Sequence, residues 1–312
     1  MNPVSLLARV SSCIGRPEYF FRPTQIARRL GLRMSKSDQD TIDIILPWGL
    51  PIRCRFGDVI GSSIARTGIY DLSVTELIWR LLDPGESAID AGANIGYMTS
   101  IMAARVGRNG RVFSFEPHPE IFPELSHNVS LWKDNSRIGP IETRRVALSD
   151  RAGTAMLSVP PEFASNRGTC SLEKASDNEQ GHLVDTKCLD NEIPSGTKTG
   201  LMKVDVEGHE LPLLKGGGSL FRDHRIRDVV FEAHDGPSSP VVKFLQSHGY
   251  ALFRLTRRFL GPAIEAVGNA NRSKESPCLG YDAPSYLATL DAGRAASRLR
   301  SRGWQALRSR RP

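Results

Sequence analysis

Ala88-Ile89-Asp90-Ala91-Gly92-Ala93-Asn94-Ile95-Gly96-Tyr97 reads as a strand, a tight turn and the start of a helix. Residues 88–90 are short and apolar enough for a strand buried on both faces, and 97–106 is a helix of small residues. The rhythm repeats downstream. Residues 111–115 read as strand, 119–131 as helix and 142–148 as a third strand. It resumes with a strand over 201–205, a helix holding 211–214, a strand over 229–232, a helix over 241–245 and a last strand over 250–255. Such alternation predicts right-handed βαβ units: an α/β fold with a doubly wound, mainly parallel sheet covered on both faces. Residues 150–200 interrupt it with Gly, Ser and Asn around two β-like runs, 154–159 and 182–188, and predict an inserted hairpin.

Upstream, residues 1–35 read as a helical preface. Two β-rich runs, 42–46 and 52–56, flank Pro47-Trp48-Gly49 and predict a hairpin. The organisation is then a preface over 1–60, a main domain over 61–290 (with 261–284 loop-rich) and a basic, solvated tail over 291–312. Composition fits a globular chain of 312 residues, 40% hydrophobic and 24% charged, which excludes collagen-like and wholly disordered classes. No stretch approaches the roughly 20 apolar residues of a membrane span. Leu6-Leu7-Ala8 is cut short by Arg9 with no positive charge before it, so no secretory signal is expected. Five scattered cysteines (Cys13, Cys54, Cys170, Cys188 and Cys278), none spaced C-x-x-C, argue against a disulfide framework and a structural zinc site, and place the chain in the cytoplasm. The net charge of +7 equals the seven arginines within residues 293–312, so the rest of the chain is neutral. A uniformly basic nucleic-acid face is therefore not expected, and no DNA partner.

The turn Asp90 to Gly96 lies at the carboxyl end of the first strand, where doubly wound sheets bind ligands. Glycine admits a close ligand and the helix start offers unpaired N–H groups. Glu116, ending the second strand, is placed to accept from both ribose hydroxyls. The loop departs from G-x-G-x-x-G, and Asp90 would repel a pyrophosphate yet attract an ammonium group. A nucleoside carrying an amino acid suits this combination better than a dinucleotide, which points to S-adenosylmethionine.

Four blocks in register carry a family resemblance: IDAGANIGYMTSIMA (89–103), FSFEPHP (113–119), RRVALSD (144–150) and LMKVDVEGHELPLLKGG (201–217). Over about 61–255 the chain resembles the FkbM-type family of S-adenosylmethionine-dependent methyltransferases. The resemblance implies a class I, Rossmann-like sheet of seven strands with the last antiparallel. It also implies methyl transfer, usually to a hydroxyl of a sugar, glycolipid or polyketide-type metabolite. By position it places Asp90, Gly92, Asn94 and Gly96 at the methionine end and Glu116 on the ribose. Ser149 and Asp150 fall by the adenine, with Asp150 accepting from the exocyclic amine.

The adjoining strand ends in Asp205, Glu207 and His209, the acid/base candidates for removing a hydroxyl proton. Asp205 could also cap the following helix, a role compatible with ligand contact, and Glu207 and His209 could be a solvated first turn. No metal site is expected, since Asp-x-Glu-x-His is not a trusted spacing. Glu232 and His234 share one side of the next strand and could touch substrate or supply the base; His118 reads as an adenosine contact or a solvated rim residue. Acceptor specificity is expected around Gly68 to Asp71 and in the insertion at Ser165, Asn166, Arg167 and Thr169. No N-P-P-Y follows the Lys203 strand, which disfavours a nucleobase amine as acceptor. In the tail, Leu299, Trp304 and Leu307 interleave with arginines; solvated disorder is favoured, with an anionic membrane surface or RNA as alternatives. Competing readings are methylation of nitrogen, carboxyl or RNA, an NAD-dependent oxidoreductase, and a non-catalytic binding module.

Overall fold

The computed structural model describes residues 17–20, 41–164, 166–172, 180–233, 235–267 and 285–308. The expected preface helix over 23–31 lies outside them; Pro17–Phe20 forms one helical turn. The hairpin forms as the Pro/Gly turn predicts. β1 (Thr41–Ile45) pairs antiparallel with β2 (Pro51–Arg55), and Trp48 at the turn is buried with its indole N–H donating to Ser100 Oγ at 3.1 Å.

Two helices follow, α1 (Val59–Thr67) and α2 (Leu72–Leu81). Asp58 and Asp71 cap them, each side chain accepting from first-turn amides. The alternation then runs β3 (Ser87–Ala91), α3 (Tyr97–Val106), β4 (Arg111–Phe115), α4 (Phe122–Ser130) and β5 (Ile141–Arg144). The expected third strand is split. Ala147–Leu148 forms β6, which leaves the main sheet and joins the insertion, where β7 (Gly153–Val159) and β8 (Gln180–Lys187) make the expected hairpin. The main run resumes with β9 (Thr199–Val204), α5 (Glu210–Gly216), β10 (Ile226–Glu232), α6 (Pro240–Ser247) and β11 (Ala251–Arg258). Then come β12 (Gly261–Ala266), β13 (Ser285–Thr289) and α7 (Ala292–Leu299).

The sheet order is β12-β11-β13-β10-β9-β3-β4-β5. The block from β10 to β5 is parallel, while β13 runs antiparallel between β10 and β11. An antiparallel strand near the end agrees with the expected class I arrangement, with two differences. Among the described residues the sheet has eight strands, because β12 extends the edge within the stretch read as loop. Residues 250–255 are also not the last strand; β13 is, and it inserts beside β10. The chain winds from β3 outward to β5 and returns to β9 on the other side of β3. The crevice therefore opens at the carboxyl ends of β3 and β9.

Both faces are covered. The hairpin, α2, α3 and α7 bury one apolar layer, and α5 and α6 the other. The expectation of a solvated tail is not met over 292–307. Ala295, Leu299, Trp304, Ala306 and Leu307 are buried in the first layer. The arginines read as a charge run serve as anchors: Arg294 pairs with Asp83 and Asp228, and Arg298 with Asp83.

Candidate active site

The turn after β3 is shaped by its neighbours. Gly92 has φ +76°, and a Cβ there would lie 1.8 Å from the carbonyl oxygen of Asp205. Glycine is required because the ends of β3 and β9 press together: the Asp205 N–H donates to Ala91 O, and the Lys203 ammonium to Gly92 O at 2.8 Å. Asn94 also sits at positive φ, and its N–H donates to Glu116 Oε2 at 2.9 Å. Gly96, φ +90°, opens α3 with Leu125 filling the place of a side chain. Asn128 on α4 stitches this turn to the hairpin, donating to Ile95 O and Arg53 O and accepting from the Arg53 N–H.

Asp90 is fully buried. Its Oδ2 accepts from the Thr99 hydroxyl at 2.6 Å, while Oδ1 has no hydrogen-bond partner and faces the Lys203 ammonium at 3.7 Å. Burial pushes its pKa up, and Lys203 opposes that. Glu116 ends buried at the second strand, its carboxylate accepting from the amides of His118 and Asn94. Burial raises its pKa to about 7 against those two bonds and Lys203.

On the other side of β9 a cleft opens, lined by Tyr70, Asp71, Val74, Met98, Lys203, Val204, Asp205, Val230, Phe231, Glu232 and Ser285. Lys203 organises it, bonding Asp205 Oδ2 at 3.1 Å while facing Asp90. Despite burial its pKa is raised by Asp205 and Asp90. Glu232, held near Asp205 and Asp71 and largely desolvated, has its pKa pushed up to about 8. Burial and the same carboxylates raise Tyr70 well above the usual phenol value. The cleft thus sets a carboxylate bonded by a lysine beside one whose pKa is raised, an arrangement that suits acid/base chemistry.

Residues 90–252 match the Methyltransferase FkbM domain. The chain belongs to the FkbM methyltransferase family. As a member it is an S-adenosylmethionine-dependent methyltransferase, and the oxidoreductase reading falls away. It is similar to the hexuronic acid methyltransferase AglP of Haloferax volcanii, 28% identical over 232 residues that span 66% of this chain and 88% of that protein. Methyltransferase 1 of Beauveria bassiana is 27% identical over 53% of this chain and 72% of its own length. Among solved structures it resembles a methyltransferase FkbM from Methylobacillus flagellatus (TM-score 0.40, 15% identity, 73% of this chain, 60% of that one). It also resembles an O-methyltransferase from Thermotoga maritima (TM-score 0.42, 14% identity, 83% of this chain, 80% of that one).

Within this FkbM chain the three acid/base candidates have different partners. Asp205 lines the cleft; the residue before the next helix is His209, so Asp205 is not its cap. Glu207 sits at φ +47°, and its carbonyl accepts from Ser171 Oγ at 2.6 Å, tying the insertion to the β9 turn. His209 Nε2 lies 2.9 Å from Ser149 Oγ, beside exposed Asp150. His118 is neither solvated nor at a rim: it is buried, stacked on Phe163 at 4.6 Å and edge-on to His182 at 5.0 Å. Burial, chiefly, lowers its pKa to about 4. Tyr70 and Asp71 reach the cleft as expected. Arg167 instead turns to the scaffold, its guanidinium on Glu124 at 2.6 Å and its N–H on Asp58. Ser165 and His234 lie outside the described residues. Lys203 carried a signal that went unread: it is two residues from Asp205 on one strand, hence on the same side, and pairs in register with Asp90. Among the described residues no cluster of three or more acidic, His or Cys side chains has metal-binding geometry, and no helix is long and apolar enough to cross a membrane.

Proposed function

We propose that this enzyme transfers a methyl group to a hydroxyl of a sugar, glycolipid or polyketide-type acceptor, with Glu232 as the base. The observation that carries the reading is the cleft beside Asp205, where half-buried Glu232 stands near Asp205 and Asp71 and can take a proton once it has ionised. The residues present suit S-adenosylmethionine. Asp90 and Lys203 set the charge beneath the turn, and Glu116 keeps acceptor capacity for a ribose beyond its two backbone bonds. By the family resemblance, Ser149 and Asp150 would take the adenine. When bound, the cofactor supplies an electrophilic methyl on a sulfonium. This chain's part is positioning, exclusion of water and removal of the hydroxyl proton. Asp205, bonded by Lys203, orients the acceptor or the cofactor's cationic end, while Glu232 takes the proton. The similarity to a protein named hexuronic acid methyltransferase supports a sugar acceptor.

Calorimetric titration with S-adenosylhomocysteine, with NAD as control, tests the cofactor assignment. Micromolar binding that disappears in Glu116→Ala is expected, and NAD binding would refute it. Incubation with a panel of hydroxylated glycans should then give a methyl ether stable to mild alkali. A product that releases methanol in alkali is an ester and overturns the hydroxyl assignment.

A further inference from the structure

We infer that the β11–β12 turn is a docking tip for an anionic lipid surface, a role that goes beyond the chemistry of the cleft. Phe259 and Leu260 form the two-residue link between Arg258 and Gly261. Links of this length are ordinarily filled by Gly, Asn or Asp. Here both positions hold large apolar side chains, 41% and 51% exposed. Local turn chemistry does not favour them. Their backbone is firmly held all the same: Gly303 N–H donates to Leu260 O at 2.6 Å, and the Trp304 indole to Phe259 O at 2.9 Å. The two side chains are thus presented outward on a rigid support.

The surroundings are basic. Arg258 is exposed on the adjoining strand, with Glu265 of the facing strand at 3.6 Å, and the segment that grips the turn exposes Arg300, Arg302 and Arg308. The sequence continues with Arg310 and Arg311. An aromatic and a leucine ringed by arginines match the headgroup–acyl boundary of an anionic bilayer, apolar tips entering and guanidinium groups meeting phosphates. The position is telling as well. β11 runs parallel to β10, and Leu255 falls level with Glu232 in the register through Tyr286 and Ser285. Four further residues put Phe259 about 13 Å beyond the catalytic edge of the sheet. A protein resting on this tip turns its cleft toward the bilayer. The lipid-binding element is therefore the turn with its arginines. It is not a helix of the tail, whose Leu299, Trp304 and Leu307 face the core.

The full chain is floated with phosphatidylcholine vesicles, with and without phosphatidylglycerol, at low and high salt. Binding is expected only with the anionic lipid and is weakened by salt. Arg258→Ser and Arg302→Ser should each lower partitioning about fivefold, and the Phe259→Ser/Leu260→Ser pair about tenfold. S-adenosylhomocysteine binding by calorimetry should be unchanged in all of them, so failure of the tip and failure of the cleft assignment read out separately. No binding to anionic vesicles, or binding indifferent to Phe259 and Leu260, overturns the inference. So does RNA binding lost in the arginine variants without vesicle binding, or a dimer that the apolar pair alone disrupts.

Discussion

At the residue scale the cleft is a problem of charge. Among the described lining residues, Asp71, Asp205 and Glu232 share one small space with a single cation, Lys203, which bonds Asp205. Burial first, and then that crowding, push the pKa of Glu232 up to about 8. A raised pKa means that the basic form appears only as pH rises. Turnover at saturating cofactor should therefore climb about tenfold per pH unit below 8 and level off above it. Glu232→Gln should cut kcat by roughly 10²- to 10⁴-fold and leave the affinity for S-adenosylhomocysteine intact. A flat profile from pH 6 to 9, or a loss under about fivefold, would move the base elsewhere. Glu116 titrates in the opposite role. Ribose hydroxyls donate best to the ionised carboxylate, so affinity for the same ligand should tighten as pH rises through about 7, a dependence that Glu116→Gln should flatten. Gly92 is constrained twice over, by φ and by the Asp205 carbonyl. Gly92→Ala should cost more than about 2 kcal/mol in thermal unfolding and separate the two strand ends that carry Asp90 and Asp205.

At the element scale, legibility followed the strength of local signals. Strands buried on both faces, β3, β4, β9 and β10, are short apolar runs between helices, and the sequence marks them clearly. So does the hairpin, whose Pro47-Trp48-Gly49 turn leaves little choice. β13 was lost because Tyr286-Leu287-Ala288-Thr289 is too short to show a period, and β12 because Gly261-Pro262 reads as a loop. Pairing with β10 and β11 makes strands of them, a tertiary effect that local propensity does not contain. The cofactor turn was readable, but the reason for Gly92 was not: it is a contact between segments more than a hundred residues apart. α2 shows a further hidden function. Its start carries Asp71 into the cleft, and its far half holds the buried pair Glu76–Arg80. Glu76 accepts from the amides of Gln305 and Ala306, while Arg80 donates to the carbonyls of Arg298, Ser301 and Gly303. Removing Glu76 would strand a buried guanidinium and two amides. Glu76→Ala should thus cost about 3–5 kcal/mol and lower Tm by about 10 °C.

At the scale of the whole molecule, the chain closes on itself. The segment after β13 starts below the sheet at Asp291, climbs along α2 as α7, and finishes against the β11–β12 turn on the catalytic side. Composition alone made it a basic tail, because arginines dominate its letters and Gly303 with the serines weakens any helix. Its apolar residues are few, yet each is placed inward: Trp304 is fully buried and its indole N–H is satisfied. Charge counts treat arginine as surface, whereas here Arg294 and Arg298 are spent on Asp83 and Asp228 at the foot of the fold. The two views make opposite predictions. If the segment were solvated, ending the chain at Leu290 would leave stability and cofactor affinity unchanged. With the packing described, that truncation uncovers one face of the first apolar layer, takes both arginines from Asp83 and Arg294 from Asp228, and strips the buried Glu76–Arg80 pair of its backbone partners, so it should yield insoluble or molten protein. Trp304→Ala is the gentler probe. It should cost about 3–5 kcal/mol, lowering Tm by about 10 °C in a circular-dichroism melt, and an unchanged melt would return the segment to solvent.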